Sequence, residues 1–155
     1  MKSTIHKLIK NYRTLVSKTL VLSIVLMLVS TLGFAQEAKG QTITVTIENA
    51  KSDDGKILVS LNTKDNFMKG AGVQNAASEI KDGTATITFE NVQPGEYAVM
   101  VMHDANGNNK LDFEANGMPK ESYGTSNNPR SFGPPNYDDA KFNVDKEDLK
   151  LSIRF

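Results

Sequence analysis

The residues best suited to chemistry form one run, Asp104-Ala105-Asn106-Gly107-Asn108-Asn109-Lys110-Leu111-Asp112. Oxygen-bearing side chains fall at relative positions one, three, five and nine: Asp104, Asn106, Asn108 and Asp112. Lys110, at position seven, offers its backbone carbonyl. A hard cation such as Ca²⁺ takes about six to eight oxygens, and alternate residues of a curled loop aim that many inward. The run departs from a full helix-loop-helix calcium loop. Position six is Asn109 rather than Gly, although Asn tolerates positive φ better than most residues. Position twelve is Ala115, so Glu114, Glu121, Asp138 or Asp139 would have to complete the shell. Two carboxylates predict a weak site, with Kd roughly 10⁻⁴–10⁻³ M. The same residue types also build turns and cap their own backbone without any metal. Both readings stay open.

His103 stands immediately before this run. The other histidine, His6, lies near the N-terminus, so a zinc site of the usual kind, built on several His or Cys ligands, is not expected in the domain. His103 could act as a general base with Ser122, Ser126 or Ser131 as nucleophile. No G-x-S-x-G elbow supports that chemistry, and the alternative is a strand-end histidine bonded to Asp104 or to a carbonyl. No catalytic residue is assigned. Further on, Ser122 to Asn128 and Phe132 to Tyr137 mix aromatics with amides, with Glu121 and Tyr123 at the start. Such segments can stack on a sugar or peptide, or can satisfy the backbone of an ordered loop.

These loops need a scaffold, and its strands are legible. Thr42 to Glu48 alternates, with Ile43, Val45 and Ile47 on one face and threonines on the other, the period of a half-buried strand. Lys56 to Asn62 does the same with Ile57, Val59 and Leu61. The turn Lys51 to Gly55 between them suggests a hairpin. A weaker strand is expected over Ala76 to Lys81, followed by the tight-turn signal Asp82-Gly83 and a strand over Thr84 to Glu90. In the next turn Pro94 fixes φ and Gly95 is expected in the left-handed region.

Glu96 to His103 is apolar on both faces. Tyr97, Val99 and Val101 make one, and Ala98, Met100 and Met102 the other. A strand of that kind is covered on both sides. The expected cover is the segment 104–140, read as a long ordered loop packed through Leu111, Phe113, Met118, Tyr123, Phe132 and Tyr137. Phe142 and Val144, then Leu149 to Phe155, close the chain. About seven short strands without helical periodicity indicate an all-β, immunoglobulin-like or transthyretin-like antiparallel sandwich over residues 42–155.

The start of the chain has a different character. Its first 18 residues hold five basic residues and no acid, and the uncharged run Thr19 to Leu32 leads to Gly33-Phe34-Ala35. A basic segment, an apolar segment and a small-x-small exit make a signal peptide over residues 1–35, with a polar linker at 36–41. An uncleaved membrane anchor is the rival reading, and there the membrane is reached through this segment alone. Without it the domain carries 13 basic and 18 acidic residues, a net charge of −5. That balance disfavours phosphate backbones, so nucleic acid is not an expected partner. The chain has no cysteine, so an exported domain must rest on its core alone, or on a core helped by an ion.

The stretches PGEYAVMVMHDANGNNKLD, GMPKESYGTSNN and FGPPNYDDAKF resemble an uncharacterised bacterial family, domain of unknown function 2141, over about Ile43 to Phe155. The resemblance implies an exported single domain, periplasmic, outer-surface or secreted, and no particular reaction. The Gly95-Glu96-Tyr97 entry into an apolar strand is also similar to transthyretin-like, carboxypeptidase-regulatory and collagen-adhesin modules. That similarity implies a non-catalytic sandwich, with calcium in the acidic loops of some adhesin modules. The expected function is therefore an exported binding or accessory module, its loop a candidate for Ca²⁺, its partner a cell-envelope polysaccharide or protein. The alternatives are a cell-envelope hydrolase using His103 and nearby carboxylates, and a surface adhesin or assembly subunit.

Overall fold

The computed structural model describes residues 40–130 and 133–155, with Val16 alone before them. The chain divides into two compact units, Met1–Ala38 and Lys39–Phe155, and all the described strands belong to the second. The signal segment expected over 1–35 lies outside the described residues, Val16 apart, as do Ser131 and Phe132. Among the described residues no helix is long and apolar enough to cross a membrane.

Alternation of β-branched residues decides the main strands. β1 (Gln41–Glu48) buries Ile43, Val45 and Ile47 and leaves its threonines half-buried. It begins at Gln41, inside the expected linker. β2 (Lys56–Asn62) buries Ile57, Val59 and Leu61. β3 (Gln74–Ser78) begins two residues earlier than expected. β4 (Ala85–Val92) buries Ala85, Ile87, Phe89 and Val92. β5 (Gly95–Asp104), β6 (Tyr123–Thr125), a single helical turn α1 (Tyr137–Ala140), β7 (Phe142–Val144) and β8 (Leu149–Arg154) complete the order.

The strands form two sheets, β4-β1-β8 and β3-β2-β5-β6, with β7 added to the start of β5. The core cluster draws Ile43, Phe89 and Ile153 from the first sheet and Ile57, Leu61, Val99 and Val101 from the second. The chain is thus an all-β sandwich of immunoglobulin-like layout. One pairing, β1 with β8, is parallel, from Ile43 opposite Leu149 to Glu48 opposite Arg154.

The expected β1–β2 hairpin does not form. β1 lies between β4 and β8, while β2 lies between β3 and β5 in the other sheet. Alternation states which face of a strand is buried and leaves its neighbour open, so adjacency in sequence was a poor guide here. The turn before β2 instead carries the chain between layers. Its Gly55 has φ 71°, and a Cβ there would lie 2.0 Å from the carbonyl oxygen of Asp104. Asp82-Gly83 does form the tight turn, with φ 51° and 71° and paired bonds between Lys81 and Thr84. It too joins strands of different sheets. Before β5 the left-handed residue is Asn91, near the end of β4 at φ 55°, and Gly95 does not enter that region.

β5 is covered on both faces along its first half. Beneath lies the main core. Above, Ala98 and Met100 meet a second cluster of Phe67, Tyr137 and Ala140. Phe67 and Tyr137 pack edge to face at 5.6 Å. The cover therefore comes from α1, within 104–140, and also from the loop after β2. The expected packing residues divide. Tyr137 is buried, whereas Phe113 and Met118 are 55% and 62% exposed at a small hairpin closed by a Phe113–Pro119 bridge.

Candidate functional site

The loop after β5 begins on a buried carboxylate. Asp104 is fully buried and pairs across the sheet with Lys56 at the start of β2. Its Oδ1 accepts the N–H of Asn108 and its Oδ2 the N–H of Asn109, both at 3.0 Å. Those donors stand four and five residues on, so the chain must curl around the carboxylate. Asn109 takes φ 61° and Gly107 φ 76°, the left-handed conformations that such a curl requires.

Side-chain oxygens then continue the curl. Asn106 Oδ1 accepts from Asn108 N at 3.0 Å, and Asn108 Oδ1 from Lys110 N at 2.8 Å. The Nδ2 groups of Asn106 and Asn108 both donate to Asp112 Oδ2, at 2.6 and 2.9 Å. Asp104, Asn106, Asn108 and Asp112 are therefore drawn into one network. Lys110 belongs to it through its backbone, and its side chain is exposed.

Glu121, expected as an additional ligand, has another place. Its Oε1 accepts from Ala105 N at 3.0 Å and its Oε2 from Asp112 N at 3.1 Å, so one carboxylate ties the two ends of the loop together. Lys120 N donates to the Asp112 carbonyl, and His103 N to the Ser122 carbonyl, which lays this segment along the loop. Nothing in the spacing of the sequence announced that clamp.

His103 is 3% exposed, with its ring stacked on Phe155 at 6.3 Å. Its Nε2 lies 2.8 Å from the Asp54 carbonyl oxygen. A carbonyl only accepts, so Nε2 carries a proton and donates it. Ser126, a serine of the candidate dyad, is fully buried. Its hydroxyl accepts from Val99 N and donates to the Ala140 carbonyl, binding the end of β6 to β5 and α1. The turn Asp53-Asp54-Gly55 thus supports the site from beneath, and Asp53 also caps the backbone N–H groups of Asp82 and Gly83.

The amides expected to meet a sugar or peptide are spent within the fold. Asn127 Nδ2 donates to the carbonyls of Asp139 and Lys141. Asn128 donates to Ser152 O and accepts from Arg154 N along the edge of β8. Asn136 caps α1, and the Tyr137 hydroxyl donates to Glu96 O. Burial, then the neighbouring Glu96 carboxylate, pushes the Tyr137 phenol above its usual range. Tyr123 is 37% exposed and lines an open cleft of about 380 Å³ with Thr125, Pro129, Pro135 and Arg154.

Among the described residues no group of three or more His, Cys, Asp or Glu is placed to hold a metal ion. A cation in the 104–112 loop would rest on two aspartates together with amide and backbone oxygens. Each amide oxygen that accepts one backbone N–H keeps a second lone pair. At Asp112 Oδ2 the two Nδ2 groups now stand where positive charge would sit, so a cation would have to displace them.

Residues 45–152 match the model of a family described as an uncharacterized protein conserved in bacteria (DUF2141). No curated protein matches the chain. Among solved structures, the chain is similar to a pilus-presented adhesin, Spy0125 (Cpa), at 14% identity and a TM-score of 0.27. That likeness covers 74% of this chain and 26% of the adhesin, so the chain spans about a quarter of that structure. A likeness of this degree speaks to neither ligand nor partner.

Proposed function

The chain belongs to the DUF2141 family, and on that premise we propose that it is a non-catalytic exported binding module whose 104–112 loop takes up Ca²⁺. The observation that carries the reading is the curl of the loop around Asp104, which gathers the side chains of Asn106, Asn108 and Asp112 into one hydrogen-bonded network with Asn109 left-handed at position six. Asp104, Asn106, Asn108 and Asp112 would supply side-chain oxygens and Lys110 its carbonyl. The ion would contribute charge neutralisation between Asp104 and Asp112 and fix the loop on the end of β5.

Export rests on the basic and apolar segments of residues 1–35. The absence of catalysis is supported by His103, buried with Nε2 bonded to a carbonyl, and by the hydroxyl of Ser126, engaged at both of its bonds. On this reading the loops present surface to a polysaccharide or protein of the cell envelope.

Thermal unfolding with and without calcium tests the metal. A ligand that binds only the native state at about 100 times Kd adds about 2.7 kcal/mol. For Kd of about 10⁻⁴ M, calcium at about 10 mM should raise Tm by roughly 5–15 °C. EDTA should remove the gain, and Asp112→Ala should abolish it. A Tm that is the same in calcium and in EDTA overturns the reading.

A further inference from the structure

The domain contains two Asn-Gly steps, Asn106-Gly107 and Asn116-Gly117, both exposed. Asparagine before glycine is open to self-modification, because no Cβ hinders the following backbone nitrogen as it turns toward the side-chain amide. That nitrogen loses its proton and bonds to Asn Cγ. The Cγ–Nδ2 bond breaks, and Nδ2 leaves as ammonia with the proton. Water then opens the resulting five-membered imide at one of its two carbonyls, giving an aspartyl or an isoaspartyl residue. Whether the step runs depends on whether the attacking nitrogen is free.

The two steps differ there. Gly117 N donates to the Glu114 carbonyl at 2.9 Å, so its proton and its direction are committed. Among the described residues Gly107 N has no hydrogen-bond partner. Gly107 also has open space around it, with nothing within 4 Å of the place a Cβ would take. At both steps the asparagine side-chain oxygen Oδ1 accepts a backbone N–H at 3.0 Å, from Asn108 at Asn106 and from Met118 at Asn116, so the contrast lies in the glycine nitrogen. A donor held on that oxygen stabilises the negative charge that builds there as the nitrogen adds.

We propose that Asn106 is a spontaneous deamidation site and that Asn116 is protected. The aspartyl product places a third carboxylate in the loop beside Asp104 and Asp112. On the calcium reading above, which this consequence alone rests on, the added charge strengthens cation binding. The isoaspartyl product reroutes the backbone through the side chain and removes the bond that Asn108 N makes to Asn106.

The test is peptide mapping by mass spectrometry of the folded protein aged in mildly alkaline buffer containing EDTA. Conversion at position 106 should accumulate several-fold faster than at 116, and Gly107→Ala should slow it to the rate at 116. Equal rates at the two positions, faster conversion at 116, or no conversion at 106 would overturn the proposal. Because the assay is run without calcium, its outcome is independent of whether the loop binds metal.

Discussion

Replacing Asp104 by Ala removes the carboxylate around which the loop curls. Two backbone bonds are lost: Asn109 N is left without its acceptor, and Asn108 N keeps only Asn106 Oδ1. Hydrogen bonds to a charged group contribute about 1.5–3 kcal/mol each. Asp104 is fully buried at its strand end, so water cannot readily replace its carboxylate. The pair is therefore expected to cost about 3–5 kcal/mol in total, a large share of the roughly 5–15 kcal/mol that stabilises a domain. At a few degrees per kcal/mol, Tm should fall by roughly 10–25 °C. Asp104→Asn keeps one oxygen acceptor and should lose about half as much. Urea unfolding of the three proteins in EDTA, followed by circular dichroism, gives the ordering wild type, Asn, Ala. A loss below about 1 kcal/mol for Asp104→Ala, within the range of ordinary surface substitutions, would refute the claim that this carboxylate organises the loop.

Two further outcomes follow from the same geometry. Gly55→Ala should destabilise by at least about 2 kcal/mol, since it combines a positive φ with a Cβ 2.0 Å from the Asp104 carbonyl oxygen; equilibrium unfolding with wild-type stability would contradict the close approach. The Tyr137 phenol and the Lys141 ammonium are both raised in the fold, the first by burial and the second by bonds to Asp138 and Glu96. A raised folded pKa gives stability that is fully present below the unfolded values, 10.0 and 10.5, and lost as pH rises through the folded ones. The melting temperature should therefore hold steady up to about pH 9 and fall above pH 10, and Tyr137→Phe should make that alkaline fall shallower.

The sequence revealed faces more readily than neighbours. Ile43, Val45 and Ile47, or Ile57, Val59 and Leu61, could be assigned to the interior because strand side chains alternate with a period of two. No comparable rule states that β1 pairs with β8 in parallel, or that the turn at Gly55 crosses between sheets. The double-sided character of β5 was legible from Ala98 and Met100, while half of its cover, Phe67, came from a loop whose pattern was silent. The candidate site divides in the same way. Asp104, Asn106, Asn108 and Asp112 are close in sequence, and their convergence follows from local turn chemistry. Glu121, Asp54 and Ser126 act at a distance along the chain. Their roles depend on which segments the fold lays side by side, and single side chains carry no mark of that.

Calcium titration followed by amide ¹H–¹⁵N shifts tests the central claim most directly. Uptake by the loop predicts saturable changes, half-complete at roughly 10⁻⁴–10⁻³ M. They should be concentrated at the amides of residues 104–112 and should disappear in Asp112→Ala. Amides of this loop that stay unmoved at millimolar calcium, or that move only in proportion to ionic strength together with the rest of the surface, would contradict it.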